Sequence, residues 1–227
     1  MASQLDLTGL SVRRHRVVAR AAGLDIIHHP AVNLALWRRP EAERPGAEVA
    51  AWLAARAAGP VGVREAVLAL SPESVDAFLG DEAPHAGRDW LANDLLALGV
   101  RFGRVMQTSA VRMQLAVVAN DRCQRFHADS VTVRGLCTYV GPGTEWLEEY
   151  ALDRAAAAPS TEGLSTAESN RRIVADPRGL HAVRRGSFAL LKGSAYPGNA
   201  AWGLVHRSPQ VAAKGLRRLV VKLDVPR

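Results

Sequence analysis

The spacing of hydrophobic residues changes near residue 109, and this change constrains the fold of the 227-residue chain more than any other feature. Before it, apolar residues recur at helical spacing, as in the run 89–98. After it, Val111, Met113 and Leu115 alternate with more polar positions, which is the two-residue period of a half-buried strand. The pattern therefore predicts helices in the first half of the chain and a sheet in the second.

Four further strand-like runs follow, at 131–139, 188–193, 202–209 and 216–224. The first of them leads into Gly141-Pro142-Gly143-Thr144, which is a strong turn signal. Between that turn and the next run, residues 148–175 combine an alanine run with a stretch rich in serine and threonine. Long insertions in a β domain are often lids over a site, so we expect either a short helix and loop or a mobile cover here.

Residues 1–105 are predicted to be mainly helical. The run 48–56 consists of good helix formers and is ended by a Gly-Pro pair. The run 71–80 starts with a serine N-cap, continues with proline in the first turn and ends with glycine. A short stretch at 31–37 alternates more as a strand does.

Together these patterns predict an α+β fold in a single domain, 1–227. Residues 106–227 are expected to form an antiparallel sandwich or jelly roll, with an inserted loop around 148–175 and the mainly helical part, 1–105, packed on it. The N-terminus lacks the basic start and apolar stretch of a secretion signal, and no apolar run approaches the roughly 20 residues of a membrane span. We therefore expect a cytoplasmic protein without a membrane partner.

The net charge of +7 raises nucleic acid as a class of partner. However, the basic residues are almost all arginines, and they are scattered along the chain. Aromatic residues do not interleave with them to form a platform on which bases stack. The composition therefore does not favour a nucleic-acid role.

A His-x-Asp motif, His127-Ala128-Asp129, follows the first strand-like run of the second half. On an extended segment, side chains two apart point to the same face, so His127 and Asp129 can both reach one ion. His206 lies in a later strand that such a fold can bring beside them. Two imidazoles and one carboxylate are the donor set of non-haem iron(II), with zinc, manganese and nickel as competitors. The alternative is that all three are satisfied polar residues at strand ends.

Two arginines follow His206 near the end of the chain, and one of them is placed to receive a carboxylate. Arg217 shares a strand face with three apolar positions, whereas Arg218 shares its face with Val220 and Lys222. We expect the more apolar face to point into the barrel, which makes Arg217 the inward guanidinium. A buried guanidinium needs an anion, either a ligand carboxylate or an internal Asp or Glu.

The order His127, Asp129, His206 and Arg217 resembles that of the iron(II)/2-oxoglutarate-dependent dioxygenases, whose fold is a cupin-like double-stranded β-helix. The resemblance implies that the first three residues bind Fe(II). It also implies that 2-oxoglutarate takes two open positions, with its far carboxylate on Arg217, and that O2 takes the last. The implied reaction is hydroxylation of a C–H bond of a small-molecule or peptide substrate, because halogenases of this class replace the carboxylate that Asp129 keeps.

Arg134 and Tyr139 lie on the strand after the His-x-Asp motif. We predict that they contact the co-substrate or the substrate, with ordinary packing as the alternative. No residue pattern in the chain distinguishes one substrate from another.

Four segments also resemble an uncharacterised bacterial family, domain of unknown function 1826. They are 126–129, 138–146, 190–193 and 206–209. This family carries no settled activity, so two alternatives to the oxygenase stay open. One is a cupin-like metalloenzyme that uses no 2-oxo acid, and the other is a non-catalytic metal-binding protein linked to metal homeostasis.

Overall fold

The computed structural model of the protein describes residues 14–80, 83, 85–121, 123–158 and 163–226. Ten strands lie within these residues: β1 (Arg14–Val18), β2 (Val32–Trp37), β3 (Gly62–Ala69), β4 (Ala110–Val118), β5 (Val133–Val140), β6 (Glu145–Leu147), β7 (Leu180–Ala182), β8 (Phe188–Lys192), β9 (His206–Arg207) and β10 (Arg218–Asp224). Seven of them form a large sheet in the order β1-β2-β8-β5-β10-β4-β3. The other three form a small sheet in the order β7-β6-β9.

Five α-helices accompany the sheets in the described part of the chain: α1 (Ala47–Ala58), α2 (Pro72–Leu79), α3 (Ala86–Met106), α4 (Arg154–Ala157) and α5 (Thr166–Ile173). Short 3₁₀ helices lie at Ala21–His28, Glu41–Glu43, Glu149–Ala151, Pro177–Gly179 and Ala212–Lys214. The Ser71 side chain accepts a hydrogen bond from the Ser74 N–H and begins α2, as its N-cap signal predicts. Among the described helices, none combines the length and the apolar character that crossing a membrane requires.

The large sheet is covered on both faces. Its helix-facing side packs against α1, α2 and α3 and forms the main core, which contains Val111, Met113 and Leu223 from β4 and β10. Its other side, the cavity-facing side, packs against the small sheet around Trp146 of β6. Because successive residues of a strand point to opposite faces, each central strand divides its side chains between these two environments.

The mixed α/β architecture with a large sheet agrees with the predicted fold class. Between the described strands of that sheet, β1 and β2 pair in parallel and the other pairs are antiparallel. The mainly helical character expected of residues 1–105 is not confirmed, because β1, β2 and β3 come from this part and form both edges of the sheet. Residues 1–13 lie outside the described part of the chain.

The predicted turn after β5 requires glycine at position 143. A Cβ atom there would lie 1.7 Å from the Val183 carbonyl oxygen, which is backbone and cannot swing away. We expect Gly143→Ala to lower the free energy of unfolding by about 1–3 kcal/mol, the usual effect of overpacking. Chemical denaturation measures this change. Gly62→Ala on β3 is the matched control, because a Cβ there meets nothing within 4 Å, and an equal loss in both variants would contradict the prediction.

Candidate metal centre

Three side chains from two distant segments meet on the cavity-facing side of the large sheet. The ligand atoms of His127, Asp129 and His206 all lie within 4.8 Å of one another. His206 Nε2 is 3.2 Å from Asp129 Oδ2, and His127 Nε2 is 3.7 Å from Asp129 Oδ1. The structure thus brings together the three residues that the sequence proposes as ligands, close enough for one ion to contact them all.

A short backbone ladder places the two histidines opposite each other. The N–H of His127 donates to the carbonyl of His206 at 3.0 Å, and the N–H of His206 donates back at 2.9 Å. Asp129 follows two residues later, and its carbonyl accepts a hydrogen bond from the Ser194 N–H at 2.9 Å. The backbone of both segments is therefore held by hydrogen bonds at the positions that present the three side chains.

Both imidazoles are oriented by main-chain carbonyls. His127 Nδ1 is 2.8 Å from the Arg125 oxygen, and His206 Nδ1 is 3.1 Å from the Leu204 oxygen. With Nδ1–H as the donor in each case, the Nε2 lone pairs are left free near Asp129. Metal-binding histidines usually have their second ring nitrogen held in this way. Burial, followed by the charge of His206, lowers the pKa of His127, which keeps its imidazole neutral.

The Asp129 carboxylate fits a cation. Its Oδ2 atom is buried and makes no hydrogen bond, although Arg134 Nη1 lies 2.8 Å away. Burial alone would raise the pKa of Asp129, but the close contact with His206 and the charge of Arg134 outweigh it and hold the pKa well below its usual range. An ionised carboxylate is the protonation state that a divalent metal requires of this ligand.

Arg134 lines the same cavity, and its guanidinium is already paired with carboxylates. Nε and Nη2 donate to the two oxygens of Asp224 at 2.9 and 2.7 Å, while Nη1 faces Asp129. A guanidinium shared between two carboxylates orients the ligand carboxylate and fixes its charge. The geometry therefore assigns Arg134 to holding Asp129.

Tyr139 lies on the opposite side of β5 from Arg134. The two positions are five residues apart, and an odd separation on a strand places side chains on opposite faces. The Tyr139 hydroxyl donates to Asp94 Oδ2 at 2.8 Å, and its ring packs in the main core. The prediction that Tyr139 contacts the co-substrate at the metal centre is therefore wrong.

The choice of Arg217 over Arg218 is also wrong. Arg217 precedes β10, and its Nη1 donates to the carbonyls of Ala57 and Gly59 at the end of α1, at 3.5 and 2.5 Å. Arg218 is 2% exposed and lines the cavity beside the three ligands. The apolar face of β10 packs against the helices, so the more polar face points to the site.

Arg218 has no carboxylate partner within ion-pair distance among the described residues. Its Nη atoms donate to the hydroxyls of Thr144, Thr138 and Ser208 at 3.0, 3.3 and 3.3 Å, and its Nε has no partner. Burial lowers the pKa of Arg218 to about 10, so it remains cationic at neutral pH. A buried guanidinium held by neutral hydroxyls is suited to bind a carboxylate that enters the cavity.

Lys222 is a third cation in the wall of this cavity, and the sequence did not lead us to place it there. It lies on the same face of β10 as Arg218 and lines the same cavity, which has a volume of about 70 Å³. Burial, followed by the charge of Arg134, lowers the pKa of Lys222. The alternation that groups Lys222 with Arg218 was visible in the sequence. It would have placed Lys222 in the site if the polar face of the strand had been preferred.

Comparison with solved structures identifies the class of fold. The chain is similar to the dioxygenase for auxin oxidation (DAO) in rice, with 15% identity, 94% of this chain and 82% of that chain covered, and a TM-score of 0.52. Dioxygenase for auxin oxidation 1 from Arabidopsis thaliana, in a 2-oxoglutarate complex, has 11% identity and a TM-score of 0.46. The match covers 95% of this chain and 93% of that chain. A Pseudomonas putida prolyl-4-hydroxylase has 13% identity and a TM-score of 0.44. The match covers 95% of this chain and 97% of that chain.

The likeness between this chain and the rice enzyme is one of fold. A family model described as "Protein of unknown function (DUF1826)" matches residues 19–224. The chain belongs to this family, as its motifs indicate. Among curated proteins, none matches it.

We predict that Fe(II) raises the thermal stability of the protein and that His127→Ala or His206→Ala abolishes this effect. At a free metal concentration one hundred times the Kd, binding stabilises the folded state by about 2.7 kcal/mol. Anaerobic thermal unfolding with and without Fe(II) measures it. His181→Ala is the control, because His181 is exposed and does not line the cavity of the three ligands. A metal-dependent shift that survives in both ligand variants would contradict the assignment.

Proposed function

We propose that this protein is a non-haem iron(II)/2-oxoglutarate-dependent oxygenase that hydroxylates a C–H bond of a small-molecule or peptide substrate. The observation that carries the proposal is the meeting, in one cavity, of the His127, Asp129 and His206 side chains with the Arg218 guanidinium. A three-ligand metal site alone suits many proteins. The buried cation beside it supplies what a metal-bound 2-oxo acid also needs, a partner for its far carboxylate.

The donor set favours iron among the candidate metals. Two imidazoles and one carboxylate, with the remaining positions open, are typical of iron(II) oxygenases, and bound iron supplies the oxygen chemistry that attacks a C–H bond. Within this scheme, Asp129 occupies the third protein position and Arg134 holds it there. Because that position carries a carboxylate, the chemistry of the site favours hydroxylation over halogenation.

The protein's own groups would select and orient the co-substrate. The Nε–H of Arg218 has no partner among the described residues, and the hydroxyls of Thr138, Thr144 and Ser208 hold its guanidinium in place. These hydroxyls are neutral, so they position the cation without cancelling its charge. A ligand carboxylate would therefore meet an oriented and largely desolvated partner, which strengthens the interaction.

We expect Arg218→Met to weaken anaerobic binding of 2-oxoglutarate to the iron-loaded protein by about thirtyfold or more, because a buried charge pair loses at least about 2 kcal/mol when one partner is removed. Isothermal titration measures the change. Arg217→Met is the matched control and is expected to bind normally, since the Arg217 guanidinium donates to carbonyls at the end of α1 and does not line the metal cavity.

Turnover separates the proposal from its alternatives. The wild-type protein should release succinate from 2-oxoglutarate in an iron-dependent reaction, and Asp129→Ala should not. If iron-loaded protein fails to bind 2-oxoglutarate, the proposal is wrong, and a metalloenzyme without a 2-oxo acid takes its place. Tight zinc binding without oxygen consumption would instead favour a non-catalytic metal-binding protein.

A further inference from the structure

A larger cavity lies on the helix-facing side of the large sheet. Its volume is about 370 Å³, and its walls include Leu53 of α1 and Tyr139 of β5. It shares no lining residue with the cavity of the metal centre, which opens on the other side of the same sheet. Small-molecule sites commonly have volumes of roughly 300–1,000 Å³, so this cavity is large enough to hold one.

The charged residues that line this cavity all have the same sign. Arg39, Arg44, Arg184 and Arg185 line it, and no carboxylate does. Asp94 lies behind the wall and forms an ion pair with Arg39, so one of the four charges is matched. The other three arginines form no ion pair with any residue that the structure describes. Like charges gathered around one cavity repel each other, and an entering anion relieves that repulsion.

Arg39 provides an independent indication that a ligand is missing from this wall. It is only 2% exposed, and its Nε donates to the Gly186 carbonyl at 2.7 Å. Its Nη1 is taken by Asp94, but its Nη2 is buried and makes no hydrogen bond. A buried guanidinium N–H without a partner is costly, and an acceptor in the adjoining cavity would remove that cost.

The rest of the lining is apolar. Leu53 and the methyl groups of Ala50 and Ala54 on α1, with Val140 of β5, form a surface on which a hydrocarbon body can rest. Arg184 and Arg185 lie on the exposed rim, where guanidinium groups bind carboxylate, phosphate or sulfonate by paired hydrogen bonds. The lining therefore joins an apolar surface to a basic rim.

We propose that this cavity, the arginine pocket, binds an amphiphilic anion, a small molecule with an apolar body and one acidic head group. The head group sits among Arg39, Arg44, Arg184 and Arg185, and the body packs against α1. The site is distinct from the metal centre and does not depend on the function proposed for it.

The test uses the full chain and the fluorescent probe 8-anilinonaphthalene-1-sulfonate, an amphiphilic anion. Its neutral analogue N-phenyl-1-naphthylamine has the same rings without the sulfonate. We expect the wild-type protein to bind the anionic probe more tightly than the neutral one. The Arg184→Gln/Arg185→Gln double variant should weaken binding of the anionic probe by about tenfold or more, because charge-assisted hydrogen bonds are lost.

Three controls locate the effect. The Arg171→Gln/Arg172→Gln variant removes another adjacent, exposed pair of arginines and the same net charge, and it should bind the anionic probe as the wild type does. Ala54→Leu fills the apolar side of the pocket from an exposed position and should weaken binding of both probes. Arg218→Met should leave probe binding unchanged, because Arg218 lies in the other cavity.

Two results would overturn the proposal. Equal losses in the two double-arginine variants would mean that the probe responds only to overall charge. Equal affinity for the charged and neutral probes, unaffected by Arg184→Gln/Arg185→Gln, would mean an apolar surface without an anion site. Thermal unfolding of each variant confirms that the comparison is made between folded proteins.

Discussion

The reciprocal backbone hydrogen bonds between His127 and His206 are the constraint on which the rest of the site depends. They join the segment between β4 and β5 to β9, which pairs with β6 in the small sheet. Asp129 follows His127 by two residues, and its carboxylate lies within 4.8 Å of the ligand atoms of both imidazoles. Main-chain pairing thus brings residues that are far apart in sequence into one donor set.

The inserted segment supports this geometry from outside. The Asn170 side chain on α5 accepts a hydrogen bond from the Phe126 N–H at 2.9 Å and donates to the Gln124 carbonyl at 2.8 Å. One amide therefore pairs with the backbone just before His127 much as a neighbouring strand would. Phe126 is also buried with Ile173 in an apolar cluster under α5. The helices of residues 148–175 consequently belong to the scaffold of the candidate site, whatever further role this segment has.

The sequence was sufficient to identify the ligand candidates but not to choose the arginine. Alternation tells which residues of β10 share a face, yet it does not tell which face lines a cavity. In this sheet the apolar face packs against helices, so the polar face, with Arg218, is the one available to a ligand. The edge strands β1 and β3 were missed for a related reason. An edge strand needs only one neighbour, and β3 leaves Val63 and Val67 exposed, so burial does not impose a clear pattern on it.

The charge balance of the metal cavity explains why the choice of arginine matters for chemistry. With Lys222 counted as charged, β5 and β10 contribute three cations to the cavity: Arg134, Arg218 and Lys222. Two carboxylates, Asp129 and Asp224, accompany them, so the net charge is one positive unit. A divalent metal at the three ligands adds two more. A co-substrate with two negative charges would cancel the charge of the metal and return the net charge of the cavity to one positive unit. A cationic molecule would instead increase the positive charge. The fixed charges of the site therefore favour the anion that the proposed reaction consumes.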